Sequence, residues 1–148
     1  MGLRSLRASD VESLSAWLLP LAAQLDCERW ADERALRDAT GANDTLLYSD
    51  DDGQAFVSYK MPTLKFDSAR VDLLAVARDE RRLGIGSRAA LALERRLKRS
   101  TRRIYIRLPE RFGLALYFWL RLGYRPLTQG EWPAKADATS AWMVRDLP

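Results

Sequence analysis

The sequence predicts an α+β domain built on a mixed, mostly antiparallel sheet, and three observations carry that prediction. Some short apolar runs alternate with period two, as half-buried strands do, while others recur at helical spacing. Their order is strand, two helices, three strands, helix, strand, helix, two strands, which is α+β with a mixed, mostly antiparallel sheet. A length of 148 residues, with 47% hydrophobic and 30% charged residues, suits one globular domain spanning 1–148.

The elements follow in chain order. Leu3 to Arg7 reads as the first strand. Ser9 or Asp10 is the candidate N-cap of a helix whose apolar face is Val11, Leu14, Trp17, Leu18 and Leu21, with Pro20 expected to kink or end it. A second helix is expected over Arg29 to Ala39, closed by Gly41. Asp44 to Ser49 and Gln54 to Lys60 read as strands joined by the turn Asp50-Asp51-Asp52-Gly53. The three aspartates are read as a hairpin tip rather than a metal site. Pro62 to Ser68 is a loop, and Val71 to Val76 is the fourth strand. It puts Asp72, Leu74 and Val76 on one face and Val71, Leu73 and Ala75 on the other. After a helix carrying Ala90, Leu93 and Leu97, Arg103 to Leu108 alternates as a fifth strand ended by Pro109. Phe112 to Leu122 is an apolar helix closed by Gly123. Arg125 to Leu127 and Thr139 to Arg145 are the last strands, the latter alternating as an edge or hairpin strand would.

Composition removes whole classes of chemistry. With no histidine there is no His-based triad, His-ligated zinc or imidazole base. The single cysteine, Cys27, can form no internal disulfide, and no apolar leader or membrane-length run is present, so a cytoplasmic protein without membrane contact is expected. Charge is unevenly laid out: residues 1–77 hold 8 Lys/Arg against 13 Asp/Glu, and residues 78–103 hold 10 against 3. A basic middle suits a ligand with several phosphates, and an acidic N-terminal half suits a cationic amine. The plainer reading of Arg95, Arg96, Lys98 and Arg99 is a solvated helix face. Nucleic-acid binding is disfavoured, because no aromatic platform is interleaved with the arginines.

The chemistry-bearing stretch is Arg81-Arg82-Leu83-Gly84-Ile85-Gly86, where the fourth strand hands over to a helix. A helix start presents unpaired backbone N–H groups and the positive end of the helix dipole. Glycines let an anion approach those groups closely, and Arg81, Arg82 and Arg88 add charge. Physically the stretch reads as a pyrophosphate cradle. Gly84-x-Gly86-x-x-Ala89 also satisfies the dinucleotide-binding fingerprint, with Glu110 as a ribose acid. That fingerprint needs a turn straight off the strand, yet Ala77 to Leu83 intervene. No Gly-Lys-Ser/Thr follows, which excludes a P-loop. A glycine loop that merely starts a helix is the bland alternative.

The Arg81-x-x-Gly84-x-Gly86 pattern, the strand ending Leu74-Ala75-Val76 and the lead-in Ala77-Arg78-Asp79-Glu80 resemble the signature of the GNAT superfamily, the acyl-CoA-dependent N-acyltransferases. The resemblance extends over the chain, with Val71 to Arg88 as its specific part. It implies a GNAT-like fold of about six or seven strands and about four helices. It implies an N-acetyltransferase moving an acetyl group from acetyl-CoA to a primary amine by direct attack, with no metal and often as a homodimer. The first two helices, with Asp26, Glu28, Trp30, Asp32 and Glu33, would shape the acceptor side, although Trp30 reads more simply as core. Leu74, Ala75 and Val76 would hold the pantetheine arm. Arg81, Arg82, Leu83, Gly84, Ile85, Gly86, Ser87 and Arg88 would hold the pyrophosphate. Asp72 would take or relay the amine proton; the alternative is an acid paired with a neighbouring arginine. The sequence departs from the family four residues before Gly123, where Trp119 replaces the usual tyrosine acid. Phe112 also stands where an asparagine is common. Tyr117 is the nearest phenol, but two residues along a helix is about 200° of rotation. A catalytically silent acyl-CoA-binding regulatory module is therefore the alternative reading.

Overall fold

A computed structural model describes residues 2–25, 27–61, 67–77, 84–109, 113–131 and 140–148. The strands are β1 (Gly2–Ser5), β2 (Thr45–Asp50), β3 (Gly53–Lys60), β4 (Ser68–Val76), β5 (Arg103–Pro109), β6 (Arg125–Pro126) and β7 (Ser140–Asp146). The helices are α1 (Val11–Gln24), α2 (Glu33–Asp38), α3 (Ile85–Leu97) and α4 (Gly113–Arg121). The seven strands form a mixed, mostly antiparallel sheet in the order β1-β2-β3-β4-β5-β7-β6. The chain falls into two compact units, residues 1–59 with 73–93 and residues 60–72 with 94–148.

In the first unit β1, β2 and β3 run antiparallel, with Leu47 opposite Phe56 and Asp50 opposite Gly53. The tip is the two-residue link Asp51-Asp52, as the aspartate run predicts. Period-two alternation sends Leu47, Phe56, Leu73 and Ala75 into one apolar cluster with Val11, Leu14, Leu18 and Ala22 of α1, and with Trp30 and Leu36. Leu14 and Leu18 are fully buried, each contributing about 1.5–3 kcal/mol of transfer free energy. Leu46, Ala55 and Val57 point to the opposite face and are fully buried as well. Trp30 is completely buried, with its ring edge-on to Phe56 at 5.0 Å, so it is core.

Two helix expectations need correction. Of the two outcomes expected at Pro20, a kink or an end, the end does not occur, for the helix runs on to Gln24. Pro20 and Ala16 are both exposed, so the carbonyl that loses its partner four residues back faces solvent. The single helix expected over Arg29 to Ala39 is a 3-10 turn, Glu28–Ala31, followed by α2. The break is at Asp32, whose extended backbone (φ −125°, ψ 122°) lets its carboxylate accept from the Arg34 N–H.

In the second unit β4 and β5 are parallel, paired from Ser68↔Arg103 to Val71↔Ile106. β5 then pairs along its whole length with β7, and β7 pairs with β6. Thus β7 lies inside the sheet rather than at its edge, while its antiparallel pairing with β6, the strand that precedes it in the chain, meets the hairpin alternative. Its alternation fits two covered faces: Trp142 and Val144 pack with Tyr105 on one, and Met143 is buried on the other. α4 ends at Arg121 and is closed by Gly123, whose φ is +96°. The Gly123 and Tyr124 amides donate to Leu120 and Trp119 carbonyls there.

Candidate active site

β4 leads into the site. It runs five residues past the last paired residue of its β5 ladder, Val71, and ends at Val76. Along that extension Leu73, Ala75 and Val76 are buried and Leu74 is half-buried. Residues 78–83 lie outside the described residues, so the expectations placed on Arg81, Arg82 and Leu83 do too. The chain is described again at Gly84, which turns into α3.

Gly84 has φ +77°, a backbone conformation that an L side chain adopts only at a cost. The first helical bond runs from the Arg88 N–H to the Gly84 carbonyl, 3.2 Å. The N–H groups of Ile85, Gly86 and Ser87 therefore stand ahead of the ladder, as the first turn of any helix leaves them. Ile85 is fully buried and anchors this turn, and Ala89, Ala90 and Leu93 continue its buried face. Gly86 is buried, while Ser87 and Arg88 are half-buried. No Cβ intrudes at Gly84 or Gly86, and the dipole of a thirteen-residue helix points its positive end here. A helix start of this kind can receive an anion.

Arg88 is held by acids. Its Nε lies 2.7 Å from Asp50 Oδ2 and its Nη2 lies 2.8 Å from Asp52 Oδ2. Asp50 in turn accepts from the Tyr48 hydroxyl at 2.8 Å and, through Oδ1, from the Asp52 N–H at 2.8 Å. The Arg88 guanidinium beside it holds the Asp50 carboxyl well below the usual carboxylate range, and Asp50 raises Arg88 reciprocally. Burial, then the Asp50 hydrogen bond, pushes the Tyr48 phenol upward. Asp50, Asp52 and Tyr48 were not legible as partners of the turn: the aspartates explain themselves as a hairpin tip, and only the fold carries that tip to α3.

Asp72 pairs with Arg70, two residues back on the same face of β4, with Nε 2.9 Å from Oδ1. Its side chain keeps 19% of its exposure, so water reaches the carboxylate. Tyr117 projects from α4 at 64% exposure. Trp119 is buried, edge-on to Tyr124 at 5.0 Å and to Phe118 at 4.9 Å. An indole N–H donates hydrogen bonds but is no useful acid. Behind these rings lies a buried polar group unforeseen from the sequence. Glu94 Oε1 accepts from the Tyr124 hydroxyl and from Arg145 Nη1, both at 3.1 Å, and Arg145 also donates to the Leu122 carbonyl that closes α4. Burial, then the charge of Glu94, drives the Tyr124 phenol far above its ordinary range.

The sheet order, the four helices and the glycine turn after β4 define the α+β fold of the GNAT acyltransferases, and solved structures bear this out. An acetyltransferase from Thermus thermophilus superposes with a TM-score of 0.76 at 20% identity, covering 99% of this chain and 98% of that one. An acetyltransferase of the GNAT family from Staphylococcus aureus gives 0.72 at 17%, covering 99% and 98%. The PaiA N-acetyltransferase from Thermoplasma acidophilum, in complex with coenzyme A, gives 0.73 at 14%, covering 97% of each. No protein-family model and no curated protein matches the sequence. Among the described residues no group of acids and cysteines is placed to hold a metal, and no helix is long and apolar enough to cross a membrane.

Proposed function

We propose that this chain is an N-acetyltransferase, one domain over 1–148, that moves an acetyl group from acetyl-CoA to a primary amine by direct attack. The observation that carries the reading is the glycine turn between β4 and α3, in a fold shared with acetyltransferases, one of them complexed with coenzyme A. Acetyl-CoA is the co-substrate and supplies the activated acyl group. The N–H groups of Ile85, Gly86 and Ser87, with those of Arg82 and Leu83, bind its diphosphate. The backbone of Leu74, Ala75 and Val76 takes the pantetheine arm as an added strand would, and a backbone N–H near Leu74 polarises the thioester carbonyl. Asp72 accepts or relays the amine proton, with Arg70 fixing its carboxylate. The rest is positioning of two reactants. The acidic N-terminal half suits a cationic acceptor, and a cytoplasmic protein, able to pair with a second copy, suits the composition and the resemblance.

The buried Trp119 favours a second reading, a catalytically silent acyl-CoA-binding module. Tyr117 at 64% exposure leaves α4 without an inward phenol among its described residues. Thermal-shift titration with acetyl-CoA, coenzyme A and longer acyl-CoAs, followed by an amine panel read by thiol release, separates the two. Stabilisation with thiol release supports the enzyme, stabilisation without it supports the silent module, and a flat titration rejects both. A bulky residue at Gly86 is expected to abolish the shift.

A further inference from the structure

The contacts of Arg88 assign it a different task from the one its place in the signature suggests. Its guanidinium is oriented on two sides: Nε and Nη2 meet Asp50 and Asp52, while Nη1 lies 3.1 Å from where a Cβ on Gly84 would stand. Asp50 is itself fixed by Tyr48, a residue of β2 only 8% exposed. A chain of contacts therefore runs from the sheet, through Tyr48 and Asp50, to Arg88, whose own N–H bonds the Gly84 carbonyl of the turn that starts α3 at 3.2 Å. We infer that Arg88 is a positioning residue rather than a phosphate ligand: it braces the glycine turn against the acidic tip of the β2–β3 hairpin and so fixes the first-turn amides for a diphosphate. This rests on the coenzyme A reading.

Electrostatics gives the inference its test. Asp50, Asp52 and Arg88 together carry a net charge of about −1, beside a turn that would receive an anion. If field alone mattered, Asp50→Asn would tighten coenzyme A binding. It would also free Arg88 to reach a phosphate. A brace predicts the opposite sign, since losing the Asp50 charge releases Arg88 and loosens the turn. Arg88→Met and Asp50→Asn act on one contact, so their effects are not additive.

Two measurements on the full chain settle it. Amide hydrogen exchange without ligand reads the brace itself: Asp50→Asn is expected to speed exchange at Arg88 and Ala89, whose N–H groups close the first turn of α3, while the β1–β2 ladder stays protected. Calorimetric titration with coenzyme A reads the consequence. Asp50→Asn and Arg88→Met are each expected to weaken binding about tenfold, and the double variant no further. The exposed Asp52→Asn is expected to weaken it less, and it serves if Asp50→Asn does not fold. Tighter or unchanged binding in Asp50→Asn, or in Asp52→Asn if that variant stands in, with Arg88→Met alone weakening it, would overturn the brace and restore Arg88 as a ligand. Unchanged exchange across the turn would overturn it too. A wild-type chain that binds no coenzyme A rejects the functional reading instead, and the exchange experiment still decides the brace.

Discussion

Replacing Gly84 with alanine measures the turn without touching its charges. The residue sits at φ +77°, where a Cβ costs about 1–2 kcal/mol. A second contribution comes from Arg88, whose Nη1 would lie 3.1 Å from the new Cβ. A free arginine end would swing aside, but this one is pinned by Asp50 and Asp52. Forcing it off its rotamer costs about 0.5–1.5 kcal/mol more. Gly41 is the internal control: its φ is +81° and no atom lies within 4 Å of its Cβ position, so Gly41→Ala reports the backbone cost alone. In thermal unfolding of a chain this size, at about 2–4 °C per kcal/mol, Gly41→Ala should lower Tm by roughly 2–8 °C and Gly84→Ala by about 1–6 °C more. In an Arg88→Met background the excess should vanish. If Gly84→Ala melts with Gly41→Ala while Arg88 is intact, the pinned guanidinium is not under the turn.

Arg145→Met should be the harshest change around Glu94, about 3–5 kcal/mol, because it leaves a buried carboxylate without its cation; Tyr124→Phe should cost about 1–3 kcal/mol, and urea melts rank the two. Asp10, held by the Arg4 hydrogen bond, and Asp50, held by Arg88, both have carboxyls below their unfolded value. Their stabilisation is therefore complete above the ordinary carboxylate range near pH 4 and is lost as pH falls through the lower folded values. Melts from pH 7 to pH 2 should show it, and Asp10→Asn should flatten the acid limb. Trp119→Tyr restores a phenol at the family's position: thiol release should rise about tenfold or more at pH 7 and fall as pH approaches 10, and no rise would show that α4 does not present this residue to the leaving thiolate.

Much of the fold was legible because its signals are local. Short strand-like and apolar runs located β2, β3 and β4, alternation located β5, the aspartates marked the hairpin tip, and two glycines between a strand and a helix marked the turn that starts α3. What was hidden depends on partners distant in sequence. The alternation of β7 says that its faces differ, but not that β5 and β6 flank it. The break at Asp32 was missed because an aspartate inside an apparent helix can cap a new one, and only the backbone decides. Likewise Arg88 beside two glycines looks like a phosphate ligand until the hairpin, 36 residues earlier at Asp52, is brought against it. Asp72 illustrates a mixed case. Its place on β4 followed from period two, while its ion pair with Arg70 leaves both the structural and the proton-handling roles chemically coherent.

The most direct measurement is a coenzyme A titration followed amide by amide in a 15N-labelled chain. Ile85, Gly86 and Ser87 are expected to move first and furthest, with pantetheine, which lacks the diphosphate, leaving them unmoved. Saturable binding that shifts other amides while these three stay still would contradict that expectation.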